Sequence, residues 1–74
     1  MDIITVSAIQ GGWIVDYAAA CTPLMFLAGG KAERKARELA ERLTRSGQAA
    51  EVRIYDLTGR LAGRFRYGAA PIAA

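Results

Sequence analysis

The chain has 74 residues, a hydrophobic fraction of 53% and a net charge of +3. That length predicts one domain with a small core, a situation that oligomerisation often relieves, and the composition is that of a folded chain. There is no histidine and Cys21 is the one cysteine, which excludes an internal disulfide, Ser-His and Cys-His nucleophile pairs, and any zinc site not built mainly from carboxylates.

Ile3 to Ile9 reads as a strand, with Ile4, Val6 and Ala8 on one face and Ile3, Thr5, Ser7 and Ile9 on the other. Gly11-Gly12 suits the turn of a tight hairpin, and Trp13 to Tyr17 is the returning strand. Setting Gln10 against Trp13 places Ala8 opposite Val15 and Val6 opposite Tyr17. The core face then holds Ile4, Val6, Trp13, Val15 and Tyr17. Ala18 to Thr22 is a connection of small residues. After Pro23, Leu24 to Leu27 is either a short edge strand or a buried loop.

Lys31 to Arg45 reads as a helix. Ala32, Ala36, Leu39, Ala40 and Leu43 form a charge-free stripe about 100° wide, and Gly47 suits the left-handed position that ends a helix. A second hairpin follows. Ala50, Val52 and Ile54 alternate with Glu51, Arg53 and Tyr55; Leu61, Gly63, Phe65 and Tyr67 alternate with Ala62, Arg64 and Arg66; Thr58-Gly59 is the turn between them. Pairing Leu57 with Arg60 sets Val52 against Phe65 and Ile54 against Gly63 on the core face, and Glu51 against Arg66 outside. The expected fold is α+β, an antiparallel sheet of four or five strands with one amphipathic helix on one face, in the order β-β-(β)-α-β-β. Residues 1–68 form the domain and 69–74 a loose tail.

Several of these residues resemble the small bacterial proteins catalogued as domain of unknown function family 2188. They are Gly12-Trp13 with Val15, Phe26 before the helix, Ala36-Arg37-Glu38-Leu39-Ala40 within it, and Thr58-Gly59-Arg60-Leu61 closing at Tyr67-Gly68. The resemblance spans residues 4–68. It implies a fold and a bacterial or phage origin, with no assigned reaction. The family's usual Thr before the helix is Ala28 here, which removes a side-chain N-cap. Its histidine in the strand after the helix is replaced by Tyr55.

Candidate chemistry is sparse. Gly29-Gly30-Lys31 has no P-loop spacing and reads as a plain turn before a weak anion site. The helix carries six basic and three acidic residues, so its +3 equals the charge of the whole chain. Glu33–Arg37, Glu38–Arg42 and Glu41–Arg45 are favourable i,i+4 pairs of a solvated helix. The sheet face away from the helix is expected to hold Ile3, Ile9, Ile14, Tyr55 and Leu57, an apolar set that suggests a partner surface and a homodimer. The alternative is a weak, sequence-independent nucleic-acid contact through Lys31, Arg34, Lys35, Arg53, Arg64 and Arg66. No paired acids suggest general acid–base chemistry, so a non-catalytic interaction module is expected, with no cofactor, metal or membrane contact. The single thiol and the absence of a basic leader at Met1-Asp2 point to the cytoplasm.

Overall fold

A computed structural model describes residues 2–18 and 22–68. The expected tail, 69–74, and most of the Ala18–Thr22 connection lie outside the described residues. The elements are β1 (Asp2–Ile9), β2 (Gly12–Tyr17), β3 (Leu24–Phe26), α1 (Gly29–Arg45), β4 (Ala50–Tyr55) and β5 (Leu61–Tyr67). The α+β class holds. The sheet is five-stranded, in the order β3-β2-β1-β4-β5.

The wholly antiparallel sheet is corrected, because β1 and β4 run parallel. The cause is the helix. β3 is antiparallel to β2, and hence parallel to β1. The 17 residues of α1 carry the chain back along the sheet, so β4 sets out in the direction of β3. It docks beside β1, pairing Ile4 with Val52 and Val6 with Ile54.

The first hairpin departs from its expected register, and the second departs from it only at its turn. In the first, Ile9 pairs with Gly12, and the turn is Gln10-Gly11 with φ 89° at Gly11. Val6 therefore faces Val15 and Ala8 faces Trp13, a slip of two residues that leaves every side chain on its expected face. Gly12 belongs to the strand, where a Cβ would stand 2.8 Å from the Phe26 carbonyl oxygen of β3. In the second hairpin, Asp56 takes the place expected of Leu57. Its amide donates to the Arg60 carbonyl and its carbonyl accepts from Gly59, whose φ is 84°. The Asp56 carboxylate also accepts from the Thr58 amide and hydroxyl and from the Arg60 amide. This three-residue loop is one residue longer than expected, and a bulge between the Ile54 and Tyr55 pairs restores the register. Val52 then faces Phe65 and Ile54 faces Gly63, as expected. Leu61 now lies opposite Tyr55, so it leaves the expected core face and is 47% exposed.

The helix begins at Gly29, so Gly29 and Gly30 are its first residues and no plain turn. Ala28 is the N-cap and makes no side-chain bond. Gly29 has a packing reason: a Cβ there would lie 2.9 Å from Cε2 of Trp13. At the other end Gly47 has φ 88°, its amide donates to the Thr44 carbonyl, and the Gln48 amide reaches back to Leu43. This is the double-bonded glycine cap expected from the sequence. Of the three expected intrahelical ion pairs, Arg37–Glu33 is present at 3.7 Å. Among the described residues the other helix pair is Lys35–Glu38.

Ala32, Ala36, Leu39 and Ala40 are buried against Ile4, Val6, Val15, Ala50, Val52 and Ile54. Small helix side chains let the helix backbone settle close to the sheet, and Trp13, Tyr17, Leu24, Phe26, Leu43 and Tyr67 close the margins. Phe65 shares the helix face of edge strand β5 but stays 44% exposed, with the Arg37 guanidinium 5.9 Å from its ring centre.

Candidate functional site

One helix can cover only one side of the sheet. The register assigns the residues of the other side. One row crosses all five strands: Met25, Ile14, Ser7, Tyr55 and Leu61. Four of these are large and apolar or aromatic, and Met25 is 66% exposed. The next row holds Asp16, Thr5, Arg53 and Arg64, and the one after it Ile3, Glu51 and Arg66. Ile9 lies beyond the apolar row, opposite Gly12.

Four of the five residues expected on the partner surface, Ile3, Ile9, Ile14 and Tyr55, thus occupy strand positions of the bare face. The fifth is corrected. Leu57 lies in the hairpin loop at 68% exposure, because Asp56 and not Leu57 closes the β4–β5 pair. Met25 and Leu61 take its place in the row. Met25 was legible from the alternation of Leu24, Met25 and Phe26 once β3 is accepted as a strand; Leu61 was hidden by the bulge.

The six basic residues expected to contact a polyanion are not brought together. Lys31, Arg34 and Lys35 line a shallow hollow of about 220 Å³ with Phe26 and Glu38 on the helix side. Arg53, Arg64 and Arg66 stand on the opposite side of the sheet. Two of those three are also engaged. Glu51, although it points to the bare face, is only 1% exposed, and its two carboxylate oxygens accept from Nε of Arg53 and, at 3.1 Å, from Nε of Arg66. The Arg53 hydrogen bond, aided by Arg66 and opposed by burial, holds the Glu51 carboxyl below the usual carboxylate range. The same contact raises the Arg53 guanidinium further. The Thr58 hydroxyl, followed by the Arg60 amide, lowers Asp56 in the hairpin loop.

Burial of Glu51 is the feature the sequence reading missed. The signal was present in its Arg53 neighbour two residues on, which shares its face, and in its cross-strand partner Arg66. Two guanidinium groups can close over one carboxylate because their long stems lie along the sheet.

No family model, curated protein or solved structure matches the chain. Among the described residues no helix is long and apolar enough to cross a membrane. The glycines quoted for the family resemblance sit at structural positions: Gly12 under the Phe26 carbonyl, Gly59 in the loop of the second hairpin, and Gly68 with φ 75° beside Thr44.

Proposed function

We propose that this domain is a non-catalytic interaction module whose bare sheet face takes a protein partner, in the bacterial cytoplasm and in the company of family 2188. The observation that carries the reading is the cross-sheet row on the side away from the helix, in which Met25, Ile14, Tyr55 and Leu61 flank the small Ser7 of the central strand. Among the described residues no element packs on this face, and an apolar face of this kind is a recognised mark of an interaction site. The two carboxylates with lowered pKa support it as well, since both serve structure. Glu51 ties β4 to β5, and Asp56 closes the hairpin loop.

Site-specific photo-crosslinking in living cells tests this. A photoreactive phenylalanine analogue at Ile14 or Tyr55 should give discrete protein adducts, to another copy or to a different chain. The same analogue at Glu41, exposed on the helix, should give few. Indistinguishable adducts from all three positions would remove the reading.

The second reading, weak polyanion binding, keeps the hollow formed by Phe26, Lys31, Arg34, Lys35 and Glu38 as its site, where the Glu38 carboxylate pairs with Lys35. The helix amides at Gly29 and Gly30 begin nearby without a side-chain cap, and no acidic residue lies in the first turn. It requires binding to mixed-sequence single strands at low salt that weakens steeply as salt rises and is lost in Lys31→Glu/Lys35→Glu. Absence of low-salt binding would end it.

A further inference from the structure

Resting on the sheet-face reading, we infer that the partner is a second copy of this chain, packed face to face about a two-fold axis that runs along β1. The strand order β3-β2-β1-β4-β5 puts β1 in the middle, with two strands on each side. A half-turn about a line parallel to β1 keeps each cross-sheet row on itself and exchanges its two ends. β2 then faces β4 of the other copy, and β3 faces β5.

The residues on these strands are complementary under that operation. Ile14 of one protomer meets Tyr55 of the partner subunit, and Met25 meets the partner's Leu61. In the neighbouring row Asp16 meets the partner's Arg53. That contact answers a charge problem within one copy, where Arg53 lies directly opposite Arg64 across the β4–β5 pair. Like charges so placed are unfavourable. Arg53 gives its Nε to Glu51, and its terminal nitrogens can serve an acid supplied across the interface. Ser7 and Thr5 fall on the axis itself, where small side chains meet their own copies. Stacked sheets pack about 10 Å apart and cross at about 30°, which displaces pairs one strand from the axis by under about 3 Å, within side-chain reach.

The other in-plane axis, along the apolar row, lacks this match. It sets Ile14, Tyr55 and Met25 over themselves and leaves Asp16 over the partner's Gly12. The area also fits. Five strands about 4.8 Å apart and the seven residues from Ile3 to Ile9 give a face of about 24 by 20 Å, so two copies cover roughly 1,000 Å² in projection. That is the lower bound for a specific interface, so a dimer that forms in the micromolar range is expected.

Sedimentation velocity of the purified chain from about 5 to 500 μM should show a monomer–dimer equilibrium. Asp16→Arg should weaken it tenfold or more, and adding Arg53→Asp to that variant should recover it at least in part. Cysteine crosslinking reads the axis without relying on the Arg53 variant. In a Cys21→Ser background, facing cysteines with Cα atoms about 10 Å apart are beyond disulfide reach but within that of a short bismaleimide, which should join Ser7→Cys chains into a covalent dimer and should not join Met25→Cys chains. A mixture of Met25→Cys and Leu61→Cys chains should give the mixed dimer. Self-crosslinking of Met25→Cys, or a Ser7→Cys chain that stays single while wild type dimerises, would overturn the axis. A wild-type monomer throughout the range would overturn the second-copy assignment. Cellular adducts to other proteins from Ile14 would then still uphold the sheet-face reading.

Discussion

Gly29 and Gly30 are adjacent and chemically identical, yet alanine should act on them in opposite directions. Both are in the first turn of α1. In a helix interior alanine is favoured over glycine by about 0.8–1 kcal/mol, and less is expected in the first turn, so about 0.5 kcal/mol of stabilisation is a fair figure for Gly30→Ala. Nothing lies within 4 Å of the Cβ that it would add. At Gly29 the same Cβ would stand 2.9 Å from Cε2 and 3.0 Å from Cζ2 and Nε1 of Trp13. The indole must shift, and it is half-buried at the margin of the core. Overpacking of this kind costs about 1–3 kcal/mol, which outweighs the propensity gain. The propensity gain is common to both variants, so they should differ by the overpacking cost of about 1–3 kcal/mol, or roughly 4–24 °C in Tm for a domain of this size. Urea unfolding followed by the fluorescence of Trp13, the one tryptophan, measures the difference and reports directly on the displaced ring. A Gly29→Ala protein as stable as Gly30→Ala would show that the helix does not rest on Trp13 as described.

Three further outcomes follow from the same structure. The Glu51 carboxyl is lowered from 4.5 by Arg53 and Arg66, so its stabilising contribution is full above that value and disappears as pH falls through the lower folded value; Tm measured from pH 7 to pH 3 should fall, and Glu51→Gln should lower Tm at pH 7 and flatten the slope. Leu39→Ala should cost about 2–5 kcal/mol and Leu43→Ala clearly less, since Leu39 is buried and Leu43 half-buried; equal losses in denaturant titrations would contradict the placement of the helix. Gly47→Ala forces a side chain into a φ of 88° and should destabilise by about 1 kcal/mol or more, whereas Gln48→Ala beside it should be nearly silent by the same titration.

Periodicity carried the fold a long way. The run of Ala32, Ala36, Leu39 and Ala40 placed the helix and its buried stripe, because a 3.6-residue period with no charge in it has one reading. Alternation likewise assigned Ile4, Val6, Val15, Val52 and Ile54 to the core, and the two-residue slip in the first hairpin did no harm to that assignment. Direction and register at the turns were not legible. Alternation is the same for a parallel and an antiparallel neighbour, so nothing in Ile3 to Ile9 says that β4 docks alongside in the same sense. The longer loop at Asp56 and its compensating bulge depend on one carboxylate accepting three hydrogen bonds, which moved Leu61 to the bare face and took Leu57 off it. The six basic residues divide between the two sides of the sheet for a topological reason: a list of basic residues does not reveal which side of a sheet each occupies.

The parallel seam between β1 and β4 gives the sheet an unusual assembly order. Its middle plank is made before the other four strands, but one of its two long edges has no mate until residue 55 has been made, so a loop of nearly fifty residues must close before the halves join. Until then the first hairpin stands as a ribbon without a floor. Deleting the first nine residues would therefore not trim a margin; it would split the domain into a helix and two unconnected ribbons, neither wide enough to persist alone in water.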